Sequence, residues 1–149
     1  MKIITNTTDA LQHIKDNIYS RLAVSGTHGV GVFAIKDIPS WIDPFKPYSH
    51  SGFFVVPVDE LNDIDINVLR IFSDGFFSPE GFQLFQLYDY TFHPSYVNHS
   101  EKDKVNLEPS DSESGYITAR DIKAGEELLV NYNQVAHNLQ EILRGNNPY

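Results

Sequence analysis

The sequence predicts an α+β domain built mainly of β-strands. Short runs of strand-forming residues recur along its 149 residues and are separated by turns that contain Gly or Pro. Only a few short stretches place apolar residues at helical spacing. Strands and helices do not alternate as βαβ units, so we expect several small sheets rather than one parallel sheet covered by helices.

The N-terminal part contains one predicted helix followed by a predicted hairpin. Apolar residues at helical spacing predict a helix within residues 7–20, where polar residues 7–9 could cap its start. Residues 22–24 and 30–35 are predicted strands, joined by the turn at residues 25–29.

The middle of the chain predicts shorter elements. Four prolines between residues 39 and 57 exclude a long helix there, although residues 53–56 could form a buried strand. Apolar spacing over residues 59–73 predicts a helix that Gly75 could end. Residues 82–92 are rich in aromatic and aliphatic strand formers, which predicts a further strand.

The C-terminal part begins with a polar stretch, residues 101–115, which we expect to be an exposed loop. Two predicted strands, residues 116–119 and 128–130, lie on either side of the turn at 123–125. Apolar residues on one face then predict an amphipathic helix over residues 134–144.

No shift in composition marks a domain boundary, so we expect one domain over residues 1–149. The single internal similarity is between residues 34–38 and residues 119–122, which is too short to define a repeat.

Composition excludes several classes of function. A net charge of −9 argues against a nucleic-acid surface and would suit a basic partner, although plain solubility explains the charge more simply. The absence of cysteine excludes disulfides, thiolate nucleophiles and cysteine-ligated metals. No apolar stretch reaches the roughly 18–20 residues of a membrane span, and no signal-peptide pattern opens the chain. We therefore expect a soluble protein without membrane contact, in the cytoplasm or, for a viral protein, the host nucleus.

A glycine-containing motif, Gly29–Ala34, fits the spacing G-x-G-x-x-A that binds dinucleotides. That chemistry needs a helix after the glycines, whereas the residues that follow are strand formers and Pro39 ends them. The bare backbone at Gly29 and Gly31 would still let a ligand approach closely. By itself, the motif is better explained by an ordinary glycine-rich turn.

The polar tripeptide Asn98–Ser100 could be no more than a turn. His93, His99 and Asp89 suggest a metal site, but no HxxxH or HxD pair is present, so we expect no metal. No G-x-S-x-G sequence surrounds Ser100, which argues against a serine hydrolase.

Three segments, taken together and in order, resemble the SET domain. Gly29–Ala34, followed by Lys36–Ile38, matches the family's G-x-G-[VLYF]-[FY]-A and basic-Asp-Ile. Tyr96–Ser100 matches its aromatic-aliphatic-Asn-His-Ser. Ala119–Tyr132 fits every fixed position of Ala-Arg-Asp-Ile-x-x-Gly-Glu-Glu-Leu-x-x-x-Tyr. Each motif is weak alone, but the ordered set is specific.

The resemblance spans about residues 22–132, with a variable insert near 49–92. It implies a β-clip fold of small sheets, a pseudoknot between the Asn-His-Ser segment and the segment that ends at Tyr132, and a C-terminal helix. Here the family's usual Cys-x-Pro-Asn after Asn-His-Ser is absent, so the sequence leaves open whether Asn106 replaces the last Asn.

The resemblance also implies a protein-lysine methyltransferase that uses S-adenosylmethionine. Tyr132 would be the catalytic tyrosine, and Tyr48 and Tyr116 are candidates for the wall of the lysine channel. The residues that the resemblance places at the cofactor are His28, Gly29, Val30, Gly31, Asn98 and His99.

The expected substrate is a lysine in a protein, for example in a basic histone-like tail, and a homodimer is expected because some minimal SET proteins dimerise. The helix at 134–144 would then help to cover the cofactor. Two alternatives remain open: a SET-fold binding module that has lost catalysis, and an unrelated β-rich, metal-dependent enzyme.

Overall fold

The computed structural model describes residues 2–46, 48–50, 53–71, 76–77, 82–86 and 90–135. Within them, short strands form five small sheets and the helices are few, which confirms the predicted mainly-β α+β class. The strands are β1 (Lys2–Ile4), β2 (Ser20–Val24), β3 (Val30–Ala34), β4 (Tyr48–His50), β5 (Phe53–Pro57), β6 (Phe76–Phe77), β7 (Phe82–Gln86), β8 (Asn98–His99), β9 (Leu107–Pro109), β10 (Tyr116–Thr118) and β11 (Leu129–Val130). The α-helices are α1 (Thr7–Asn17), α2 (Ile66–Ile71) and α3 (Tyr132–Val135), and 3₁₀ helices cover Val58–Leu61, Tyr90–Tyr96 and Lys102–Lys104.

Helix α1 confirms the first predicted helix. Its N-cap is Asn6, one residue earlier than expected, and the Asn6 side chain accepts a hydrogen bond from the Asp9 amide at 2.8 Å. The helix buries Ala10 and Ile14 in an apolar cluster that also contains Val56 of β5. This apolar cluster packs α1 against the three-stranded sheet β5-β7-β6.

Strands β2 and β3 form the predicted antiparallel hairpin, with Val24 opposite Val30 at its closed end. The Ser25 amide donates to the Gly29 carbonyl at 2.8 Å and closes the connecting loop. Gly29 has a φ of 50°, a left-handed conformation that glycine adopts most easily. The loop geometry therefore depends on this glycine.

The short internal similarity in the sequence corresponds to a reciprocal contact. Ile38 and Ile122 exchange backbone hydrogen bonds of 2.8 and 2.9 Å, and both side chains are buried. Asp37 accepts from the amide two residues beyond Ile122 at 3.0 Å, and Asp121 accepts from the amide two residues beyond Ile38 at 2.8 Å. The two similar segments thus hold each other in an approximately two-fold arrangement.

Strands β8 and β11 pair in parallel, with Asn98 opposite Leu129 and His99 opposite Val130. The Ser100 amide continues this pairing with a 3.0 Å hydrogen bond to the Val130 carbonyl. The two segments that the implied pseudoknot requires to meet therefore lie side by side. Locally, the Asn-His-Ser tripeptide is a strand rather than the polar turn considered above.

The expected loop at residues 101–115 is wrong in part. Strand β9 pairs antiparallel with β10, and both Asn106 and Leu107 are buried. The Asn106 side chain donates to the Glu127 carbonyl and accepts from the Leu129 amide, each at 2.8 Å. Asn106, one of the polar residues that suggested a loop, is thus buried, and its side chain links the start of β9 to residues 127 and 129.

Two other predicted elements differ from the structure. The helix expected over residues 59–73 is instead a 3₁₀ helix followed by α2, because the Asp65 side chain accepts from the Asn67 amide at 2.8 Å and starts a second helix. The strand expected over residues 82–92 is wrong beyond β7 at Tyr90 and Phe92, which belong to a 3₁₀ helix.

The remaining predicted strands are present, whereas the last predicted helix lies mostly outside the described residues. The strand predicted at 53–56 is β5, and the strands predicted at 116–119 and 128–130 are β10 and β11. These last two do not pair with each other, since each pairs with an earlier strand. Of the predicted helix at 134–144, residues 134–135 belong to α3 and the rest lies outside the described residues.

Candidate active site

Three distant segments meet around strand β8. The first is the glycine-containing loop, which we define as residues 25–31 and which therefore includes the first two residues of β3; the second is β8 itself. The third precedes β11 and pairs with β3, since the Leu128 amide donates to the Val32 carbonyl at 2.7 Å. This pairing brings Glu127 opposite Phe33 and places its side chain against the loop.

The Asn98 side chain links all three segments. Its amide nitrogen Nδ2 donates to the carbonyls of His28 (2.9 Å) and Val30 (3.2 Å), and to Oε1 of Glu127 (2.9 Å). All three partners are acceptors, which fixes the orientation of the carboxamide. Among the described residues, none donates a hydrogen bond to the Asn98 oxygen, Oδ1.

The Glu127 carboxylate is the second hub of the site. Besides Asn98, it accepts hydrogen bonds from the Ser25 hydroxyl at 2.7 Å and the Thr27 hydroxyl at 3.3 Å. Gly31 packs directly on it: a Cβ at Gly31 would lie 3.0 Å from Cδ of Glu127 and 3.1 Å from Nδ2 of Asn98. Only glycine fits at this position without displacing the Glu127 carboxylate.

His99 and Tyr132 form a pair at the C-terminal end of the site. The Tyr132 amide donates to Nδ1 of His99 at 3.0 Å, so the neutral imidazole keeps its proton on Nε2. The two rings lie 5.2 Å apart, tilted by 48°. The Tyr132 hydroxyl donates to the Val97 carbonyl at 2.8 Å, and the residue remains 47% exposed.

Of the two channel candidates, Tyr116 lies on β10. Burial raises the pKa of its hydroxyl, and the charge of Tyr132 raises this pKa further. The Tyr116 ring also packs edge-on against Phe45 at 6.2 Å. Tyr48 lies on β4, paired with Lys2 of β1, and its side chain lies outside the described part of the structure.

The structure thus brings His28, Val30, Gly31 and Asn98 together, with His99 and Tyr132 adjacent, while the roles of these residues stay predictions.

From the sequence, Glu127 and Ser25 were not predicted as site residues, and the role of Asn106 was left open. The adjacent acidic residues Glu126 and Glu127 could have indicated one carboxylate that faces into the site. In an extended segment neighbouring side chains point to opposite sides, so one carboxylate of the pair must face inward.

Among the described residues, no group of three or more His, Asp or Glu side chains could hold a metal ion. Asp89, part of the metal arrangement considered above, lies outside that set. In the part of the chain that is described, no helix is both long and apolar enough to cross a membrane.

One protein family matches part of this sequence. A family model described as the SET domain matches residues 53–133, a range that contains Asn98, His99, Glu127 and Tyr132. No curated protein matches the sequence.

Many solved structures are similar to this chain, and two of them have the following identity and coverage. The SET domain of the RIZ1 tumor suppressor (PRDM2) is 20% identical, with 97% of this chain and 91% of that chain covered and a TM-score of 0.39. The Polycomb Repressive Complex 2 of Chaetomium thermophilum, as a humanized mutant bound to an inhibitor, is 23% identical, with 85% of this chain covered and a TM-score of 0.39. This chain spans only 16% of that longer chain.

Proposed function

This chain belongs to the SET-domain family, and we propose that it is a protein-lysine N-methyltransferase that uses S-adenosylmethionine. The observation that carries the proposal is the position of β8. Its two residues, Asn98 and His99, lie between the glycine-containing loop on one side and Tyr132 on the other. A donor pocket and an acceptor site would thereby share one short strand.

The donor side suits a cationic methyl donor. Its polar groups are mainly acceptors: the carbonyls of His28 and Val30, the Oδ1 atom of Asn98, to which no described residue donates, and the carboxylate of Glu127. Beside them, a Cβ on Gly29 would meet no atom within 4 Å, so the backbone there borders open space. Bound S-adenosylmethionine would supply an electrophilic methyl group on a positively charged sulfur.

Tyr132 suits the orientation of an incoming amine. Its hydroxyl proton is committed to the Val97 carbonyl, so the lone pairs of the phenol oxygen remain available to accept from a lysine N–H. A lysine held in this way presents its nitrogen lone pair in a fixed direction, and such alignment can account for much of the rate acceleration.

The substrate lysine must be neutral before it attacks. Enclosure by aromatic rings disfavours the ammonium form and lowers the lysine pKa. Tyr116, which lies on β10 with its ring packed against Phe45, would contribute to this enclosure. Burial and the charge of Tyr132 raise the pKa of its hydroxyl, which keeps the phenol neutral. The proton can leave through water, because Tyr132 is half exposed.

The experiment is calorimetric titration with S-adenosylhomocysteine, followed by transfer of a labelled methyl group onto histones and a cell lysate. We expect binding and labelled lysine in protein. Binding without any transfer would favour a non-catalytic SET module, and the absence of binding would refute the proposal.

We further propose a basic substrate and a homodimer. The net charge of −9 should attract a lysine-rich segment, so the KM for such a peptide should rise with ionic strength. Sedimentation of the purified protein tests the dimer, and a monomer at assay concentration would exclude it.

A further inference from the structure

We infer that Glu127 is a positioning residue, which holds the glycine-containing loop and Asn98 in the arrangement that binds the cofactor. This inference rests on the proposed function. It assigns the cofactor affinity in part to a side chain that need not touch the cofactor.

The first argument is the convergence of donors on one carboxylate. Ser25, Thr27 and Asn98 all donate to Glu127, and they come from both ends of the site, since Asn98 is 71 or more positions away from the other two. Removal of the carboxylate would leave the partly buried Ser25 hydroxyl and Asn98 amide without this acceptor. The loop and β8 would then lose their direct side-chain link through residue 127.

The second argument concerns the orientation of Asn98. Its Nδ2 has two protons and three acceptors, of which Glu127 is the only charged one. A hydrogen bond to an ionised acceptor is stronger than one between neutral groups, so Glu127 makes the largest contribution to the carboxamide orientation. That orientation keeps Oδ1 pointing away from all three acceptors and available to a ligand.

The third argument is steric. Gly31 packs on the Glu127 side chain so closely that no Cβ fits. The carboxylate thus sets how near the backbone of Gly31 approaches β8. A shorter side chain at position 127 would leave a gap beneath the loop, and the loop backbone would no longer be held at that distance.

The adjacent residue offers a matched control. Glu126 faces away from the loop, where it accepts hydrogen bonds from Arg120 at 3.0 Å and from the Lys123 amide at 2.6 Å. Both residues are half-buried glutamates in the same segment. Replacement of either one removes the same charge, but only replacement of Glu127 reaches the proposed cofactor pocket.

The experiment compares Glu127→Ala, Glu127→Gln and Glu126→Ala with the wild-type protein. Calorimetry gives the Kd for S-adenosylhomocysteine, and methyl transfer gives kcat and the KM for S-adenosylmethionine. We expect Glu127→Ala to raise both Kd and KM by about tenfold or more, with kcat at saturating cofactor changed by less than about threefold. Glu126→Ala should leave Kd unchanged, even if the protein unfolds at a lower temperature.

Glu127→Gln tests whether the acceptor or the charge matters. The glutamine oxygen can still accept from Ser25 and Asn98 but carries no charge, so this variant should recover part of the affinity that the alanine variant loses. Equal losses in the Gln and Ala variants would overturn the proposed positioning by hydrogen bonds. If Glu127→Ala does not fold, Ser25→Ala removes one of the same bonds and should raise Kd in the same direction.

The outcomes separate this inference from the proposed function. A wild-type protein that does not bind S-adenosylhomocysteine would overturn both. A wild-type protein that binds it, together with a Glu127→Ala variant whose Kd equals that of Glu126→Ala, would overturn the inference alone.

Discussion

Replacement of Asn106 by alanine should destabilise the protein strongly. The side chain is only 1% exposed, and its two hydrogen bonds serve the Glu127 carbonyl and the Leu129 amide. Alanine would leave both backbone groups buried without these partners, at a cost of about 1–3 kcal/mol each. We expect the free energy of unfolding to fall by about 3 kcal/mol, a large part of the roughly 5–15 kcal/mol of a typical domain.

Urea denaturation followed by circular dichroism measures this loss. With a slope of about 2 kcal/mol/M, the unfolding midpoint should fall by about 1.5 M. Asn62→Ala is the control, since Asn62 is exposed and, among the described residues, only its backbone is hydrogen-bonded, so its midpoint should barely move. If Asn106→Ala unfolds within about 0.5 kcal/mol of wild type, the bridging role argued for this amide is wrong.

Three further predictions concern Tyr132, Gly31 and His93. Tyr132→Phe should keep the fold and the affinity for S-adenosylhomocysteine but lower methyl transfer by about 10²-fold or more; turnover like that of wild type would remove its hydroxyl from the mechanism. Gly31→Ala should lower the free energy of unfolding by about 1–3 kcal/mol in urea, whereas Gly26→Ala, where a Cβ meets nothing within 4 Å, should not; equal midpoints would contradict the close packing on Glu127. Burial lowers the pKa of His93 to about 4, so protonation favours the unfolded state, and stability should be full above about pH 6.5 and fall by about 2–3 kcal/mol towards pH 4; His93→Gln should flatten this slope, and an unchanged slope would exclude His93 as its source.

The local elements were predictable where the sequence signal was itself local. The α1 helix and the β2–β3 hairpin depend on apolar spacing and on a turn rich in small polar residues, and both are found at the expected places. The helix expected over 59–73 failed because apolar spacing continued through a point where the Asp65 side chain begins a new helix. The spacing of apolar residues indicates which side chains are buried, but it does not indicate where one helix ends and the next begins.

The site was predictable only in part. The ordered motifs marked Asn98, His99 and Tyr132, and the structure brings the last two into ring contact. Glu127 was not predicted because its importance depends on partners that lie 29 to 102 positions away. The role of Asn106 was left open because its partners, 21 and 23 positions away, are brought to it only by the pairing of the strands. A polar stretch with one buried amide looks, in sequence alone, like any solvated loop.

Residue 127 connects the stability of the fold to the chemistry of the site. Its side chain accepts from Asn98 and the loop, while its main-chain carbonyl accepts from Asn106. The same short segment therefore carries a contact that orients the cofactor pocket and a contact that joins buried strands. Because the two hydrogen bonds belong to one residue, a change at Asn106 should displace the Glu127 carboxylate as well, so the effects of the two side chains on cofactor affinity should not add independently.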